Sequence, residues 1–246
     1  MKLNDSQILR LVKAIYTGEV NILDLPRKLY YEIGAYLFKG VNLGWKQEIS
    51  YFEKNIEFLE ELRINTYLFS AAKTFNYVLE TEKLMIEGDK IIPFKEFKEL
   101  AINKYKIFNE TWLETEYNTA IGQAQCAAKW KNIEEKADYM KYVTYVTVGD
   151  ANVSQLCKSI DGTTKLVNDP FWNTYAPKNH YNCRCILKQT SEGVVSYTGK
   201  VEQPPEGFRH NAGKNGQVFD KTHPYFQVGE YKHLAKKNYG LPIPKR

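Results

Sequence analysis

The stretch YVTYVTVGDANVSQLCKSIDGTTKLVNDPFWNTYAPKNHYNCRC, residues 142–185, decides the fold class. Its first residues, 142–148, are β-branched and aromatic, the composition of a strand, and Gly149-Asp150 ends it. At its other end Cys185-Ile186-Leu187 reads as a second strand. Residues 194–197 and 217–219 have the same character, with Asn215-Gly216 in place for a tight hairpin turn before the latter. Upstream of residue 140 the apolar pattern has the period of a helix. The expectation is an α+β protein, with a helical region over 1–139 followed by a small α+β domain over 140–246.

Within the helical region, Ile8, Leu11, Val12 and Ile15 recur at helical spacing behind the cap candidates Asn4, Asp5 and Ser6, so a short amphipathic helix should end near Gly18. Asp24 and Pro26 open a second helix, with Leu29, Ile33 and Leu37 on one face and Gly40 as its stop. Residues 50–86 hold neither proline nor glycine, and Ile56, Leu59, Leu62, Phe69, Tyr77 and Leu84 return at helical intervals. The turn Glu87-Gly88-Asp89 and Pro93 divide that helix from another over 94–138, marked by Phe97, Leu100, Ala101, Phe108 and Trp112. Two long helices joined by a short turn predict an antiparallel hairpin. Ala120, Ala124, Cys126, Ala127 and Ala128 make the last helix thin enough for a neighbouring element or a second chain to come close, and Cys126 reads there as a small core residue.

Composition narrows the function. A chain of 246 residues with 43% hydrophobic content can bury a sizeable core. No run approaches about 18 apolar residues, so a membrane-spanning helix is not expected. Four cysteines are too few for a disulfide-stapled scaffold and the first residues do not resemble a secretory signal, which points to a reducing intracellular compartment. A net charge of +5 falls short of a dedicated nucleic-acid coat. The 18 tyrosines against 12 phenylalanines favour amphipathic docking surfaces. Phosphate-loop, dinucleotide-binding and serine-hydrolase motifs are lacking, so neither a small-molecule substrate nor catalysis is expected.

The chemistry-bearing residues gather in the opening stretch. Cys157, His180, Cys183 and Cys185 lie at two short loci separated by a loop of 22 residues, and three thiols with an imidazole can supply the ligands of a tetrahedral zinc. Ordinary zinc knuckles offer a C-x2-C pair at each end, whereas Cys157 stands alone and Cys183 and Cys185 are one residue apart. Structural zinc and a set of reduced core thiols, or a disulfide formed late, both remain open. Arg184, facing away from the two cysteines, is placed to pair with Asp150 or Asp161, and Trp172 between Pro170 and Pro177 should close the loop over the core. A metal-dependent nuclease would draw on Asp150, Asp161, His180 and His223.

Asp150, Cys157, Ile160-Asp161-Gly162, Asp169-Pro170-Phe171-Trp172, Pro177, His180, Asn182 and Cys183-Arg184-Cys185 together resemble the phage minor head protein family, the Mu protein F-like or head morphogenesis domain. The Ala-rich helix over 116–130 fits the same family, as do Gly207-Phe208, Asn211-Ala212-Gly213 and His223-Pro224-Tyr225 further on. The resemblance covers about 115–226 and departs from some members in having one cysteine at 157 rather than a pair. It implies a virion protein of few copies at the portal vertex, assembled in the host cytoplasm and acting in head morphogenesis or genome delivery. The portal protein, the major capsid or other head proteins and packaged DNA are its implied partners. Two alternatives are a zinc-containing nuclease or toxin-like effector, and a DNA-binding interaction module. The latter would use the basic tail over 231–246, where Lys232, Lys236, Lys237, Lys245 and Arg246 meet no acidic residue and Pro242 and Pro244 favour an exposed chain; Tyr239 and Leu241, apolar anchors that a DNA contact does not need, favour a protein surface as the tail's partner instead.

Overall fold

A computed structural model describes residues 3–46, 55–196 and 201–245. Helix α1 (Asp5–Tyr16) starts on a reciprocal cap: Asn4 Oδ1 accepts from the Gln7 N–H at 2.9 Å and Gln7 Oε1 from the Asn4 N–H at 3.0 Å. Ile8, Leu11, Val12 and Ile15 form its buried face. α2 (Arg27–Lys46) continues past Gly40, the expected stop. α3 (Ile56–Glu82) is the middle helix; residues 50–54 of the expected helix lie outside the described residues. A 3-10 turn, Lys83–Met85, leads into a hairpin of β1 (Ile86–Glu87) and β2 (Lys90–Ile91), where Gly88 supplies the positive φ of +60° that the tight turn requires. The helix expected over 94–138 is two, α4 (Phe94–Lys106) and α5 (Trp112–Glu135), joined through a π turn at Ile107–Thr111.

The chain clusters into two compact units, one of Met1–Leu37, Thr66–Glu116 and Pro224–Arg246, the other of Phe38–Asn65 and Tyr117–His223. The expected blocks 1–139 and 140–246 are continuous in sequence; these clusters are not, because α2, α3 and α5 each give residues to both.

In the first unit α3 runs antiparallel to the chain that follows it, with Glu80 near Lys104 at 3.9 Å, Tyr77 against Tyr105 at 5.9 Å and Lys73 paired with Glu116 at 2.9 Å. Both members of the last pair are buried. The Lys73 ammonium lies 5.5 Å from the Phe108 ring centre and 5.1 Å from that of Tyr225. Burial pushes Lys73 down from its ordinary value and Glu116 up to about 7, each partly offset by the partner's charge. The tail expected to be exposed packs on this unit. Tyr239 is buried and stacks on Phe75 at 4.6 Å, Leu241 is buried, and Tyr30 OH donates to the Pro242 carbonyl at 3.1 Å. Tyr239 and Leu241 are thus anchors for the chain's own core, while Lys232, Lys236 and Lys237 remain exposed.

In the second unit the glycines of α2 mark a close helix crossing. A Cβ on Gly44 would stand 2.1 Å from the Ile121 carbonyl oxygen of α5, and one on Gly40 would stand 3.0 Å from the Tyr117 ring. Ala120, Ala124, Ala127 and Ala128 are buried as expected, whereas Cys126 is only half-buried. Gly44→Ala should therefore cost about 1–3 kcal/mol in urea unfolding, because backbone cannot move aside as a side-chain tip can. Gly40→Ala, whose Cβ would meet the Tyr117 ring at 3.0 Å and its carbonyl oxygen at 3.1 Å, should cost less.

The second unit also holds the sheet, in the order β4 (Thr164–Leu166), β3 (Tyr142–Val146), β5 (Ile186–Thr190), antiparallel throughout. Its inner face, Val143, Tyr145 and Leu187, packs with Trp130, Ile133, Ile160 and Trp172. Trp172, in the short helix α6 (Trp172–Tyr175), is fully buried and donates Nε1–H to the Leu166 carbonyl at 2.9 Å, closing the loop as expected. Residues 194–196 form no strand, only one main-chain bond from Ser196 N–H to the Thr164 carbonyl, and residue 197 lies outside the described residues. The hairpin expected at Asn215-Gly216 is a helix end instead: Gly216, at φ +67°, caps α7 (Ala212–Asn215) in the left-handed conformation. Residues 217–219 are not a strand either. Their polar main chain is met by Asn65, whose Oδ1 accepts from the Val218 and Phe219 N–H groups at 2.9 and 2.8 Å and whose Nδ2 donates to the Phe219 carbonyl at 3.0 Å.

Candidate metal centre

Four elements bring the cysteines and the histidine together. Ser154 caps the one-and-a-half-turn helix Gln155–Ile160 by accepting from the Cys157 N–H at 3.2 Å, which places Cys157 toward the core. The chain then returns along β4 and past Trp172 to a tight turn. Cys183 N–H donates to the His180 carbonyl at 3.2 Å, and Asn182 takes a left-handed φ of 59° to make that turn possible. Cys185 follows as the chain enters β5, and Tyr145 of β3 supplies the floor.

The ligand atoms of Cys157, His180 and Cys183 all lie within 4.8 Å of one another. Cys157 Sγ is 3.8 Å from Cys183 Sγ and 3.4 Å from His180 Nε2. Two sulfurs bound tetrahedrally at about 2.3 Å stand about 3.8 Å apart, and a sulfur and an imidazole nitrogen about 3.5 Å apart, so these two separations match the edges such a site would have. Cys185, also buried beside them, falls outside this mutually close group.

The surrounding groups fix these side chains. His180 Nδ1–H donates to the Tyr181 carbonyl at 2.7 Å, which leaves Nε2 as the lone-pair nitrogen facing the sulfurs, where it accepts from Ser154 Oγ at 2.9 Å. Asn179 Nδ2 donates to Tyr145 OH at 3.0 Å and Tyr145 OH donates to Cys157 Sγ at 3.3 Å. The Cys157 and Cys185 thiols, helped by the N–H groups of Cys185 and Asn179, hold the Cys183 thiol well below its ordinary range. Cys157 is raised chiefly by its hydrogen bond with Cys183, and Cys185 is raised by Cys157 and Cys183. Burial, followed by the charge of the three thiols, raises Tyr145. On the outside, Arg184 chooses Asp150 over Asp161, with two bonds of 2.7 Å, and clasps the end of β3 to the cysteine turn.

The residues named for a hard cation do not converge among the described residues. Asp150 is held by Arg184, Asp161 accepts from the Thr147 N–H at 2.8 Å, and His223 Nε2 meets Tyr181 OH at 3.1 Å. No helix among the described residues is long and apolar enough to cross a membrane. Sequence reasoning missed Asn179 and Tyr145, which support the cluster. The alternation of residues 142–148 places Tyr145 on the same face as Val143, which was the available signal.

Comparison with known proteins bears on this segment. The family described as Phage Mu protein F like protein matches residues 92–188, which starts earlier than the expected 115–226 and stops short of the Gly207, Asn211 and His223 elements. The Mu-like prophage FluMu F protein of Haemophilus influenzae is 32% identical over 89 residues, covering 36% of this chain and 20% of the relative. Putative capsid assembly protein F of Escherichia phage Mu is 26% identical over 127 residues, covering 49% of this chain and 29% of the relative. The chain thus spans less than a third of the length of either relative. No solved structure matches it. The matched segment, residues 92–188, is similar to the Phage Mu protein F like family over less than half of this chain, and it contains Cys157, His180, Cys183 and Cys185 with their supporting groups.

Proposed function

We propose that this chain is a minor head protein of a tailed bacteriophage or prophage, that it works in capsid assembly and genome delivery, and that it is joined to the portal vertex. The observation that carries this reading is the family match over residues 92–188, together with a relative named for capsid assembly. Its role is structural: Asp150, Asp161 and His223 are engaged in separate contacts, and Cys157, His180 and Cys183 lie against one another. Cys157, His180 and Cys183, with Cys185 as the fourth ligand, hold a structural zinc that ties the cysteine turn to the helix Gln155–Ile160.

Quantitative mass spectrometry of purified particles should find the protein with the portal subunits, at far fewer copies than the shell protein. A copy number equal to that of the shell protein, or its absence from particles, overturns the assignment.

A further inference from the structure

Strand β5 is the open edge of the sheet. Tyr145 turns its main chain toward β4, donating to the Thr163 carbonyl and accepting from the Gly162 N–H, each at 2.9 Å. In an antiparallel sheet the direction alternates, so Tyr142, Thr144 and Val146 turn theirs toward β5, where the register pairs them with Thr190, Lys188 and Ile186. Leu187 and Gln189 therefore point their N–H and C=O groups away from the sheet, and among the described residues nothing meets them. The opposite edge is different, since β4 is approached by Ser196.

Beside this edge runs a groove of ≈ 290 Å³ between β5 and the end of α5, with Ile133, Met140 and Leu187 among its apolar lining. Lys129, Lys136 and Lys188 also line it, without a carboxylate, and none of the three has an ion-pair partner among the described residues. Ile186 stands 53% exposed at the same place. Open main-chain groups specify an extended chain, the apolar lining specifies alternate apolar side chains, and the lysines specify acidic ones. A second copy of this edge would bring Lys188 toward Lys188, and like charges across a strand pair repel.

We propose that the β5 edge binds an extended acidic segment of a partner protein, added as a further antiparallel or parallel strand with its apolar residues in the groove and its carboxylates on Lys129, Lys136 and Lys188. The proposal does not depend on the capsid reading. The probe is a blocked peptide of alternating valine and glutamate, about eight residues long to match a strand, titrated into the full chain, with a valine and lysine peptide as control. The acidic peptide should bind and protect the Leu187 and Gln189 amides from hydrogen exchange. Lys136→Glu and Lys188→Glu should each weaken it by about tenfold, and N-methylation of alternate peptide residues should abolish binding in one phase of the alternation only. Equal binding of the basic peptide, binding without protection at Leu187 and Gln189, or no binding overturns the proposal. Concentration-dependent self-association that protects the same two amides would make the occupant a second copy, and overturns it as well.

Discussion

Lys73→Ala should lower the unfolding free energy by about 3–5 kcal/mol, because it leaves the Glu116 carboxyl buried without its counter-charge. The side chains stand 0% and 4% exposed, so water cannot replace the lost partner. The doubly substituted Lys73→Met, Glu116→Leu chain should recover most of that loss, since two apolar groups of similar volume need no mutual compensation. Urea unfolding of the three chains checks both statements; a single substitution costing under about 1 kcal/mol would show that the pair is solvated in solution. The pH dependence has a definite sign. Burial raises Glu116 from its ordinary 4.5 to about 7, so the native state holds the proton more firmly than the unfolded chain does. Its contribution is fully present below the unfolded value and is lost as pH rises through about 7. Glu116→Gln should remove that slope.

Metal removal should have a comparable effect on the second unit. Occupancy at a hundredfold excess over the dissociation constant stabilises a native state by about 2.7 kcal/mol, and structural zinc sites reach apparent binding energies of about 10–16 kcal/mol. Zinc measured against protein should give one ion per chain. Chelation should lower the midpoint of thermal unfolding, with zinc restoring it, and cobalt substitution should give a thiolate charge-transfer band. Cys183→Ser, at the centre of the cluster, should lose the ion; Cys185→Ser should weaken binding less, since that thiol lies outside the mutually close group. Three freely reactive thiols in native protein, with no response to chelator, would mean that the cluster is a reduced core and not a metal site.

Legibility in the sequence followed the range of the interactions involved. The cap at Asn4, the strand at 142–146 and the turn at Gly88 depend on neighbouring residues, and all three were visible in the local pattern. The cluster of Cys157, His180 and Cys183 was visible because its residue types have few other joint uses, although the support from Tyr145 and Asn179 was not. Gly40 misled because a glycine that admits a crossing helix looks, in one dimension, like a glycine that ends its own. Residues 217–219 misled for a related reason: their main-chain groups are satisfied by Asn65, over 150 positions away, in place of a strand. Lys73 and Glu116 could not be picked out, since each alone reads as the polar face of a helix.

The π turn at Ile107–Thr111 carries a consequence for length. Such a turn accommodates one residue more than an α turn, and one residue of α-helix is about 100° of rotation. Deleting a single residue there would return the segment to a regular α turn with its flanks facing much as before, whereas the same deletion between Trp112 and Glu116, where no wide turn absorbs it, would swing one side by that angle and take Glu116 away from the Lys73 ammonium. When this chain is aligned with shorter kin, a gap of one is thus best placed inside 107–111, where the wide turn absorbs it, and a gap elsewhere in the two flanking helices is the large event in three dimensions.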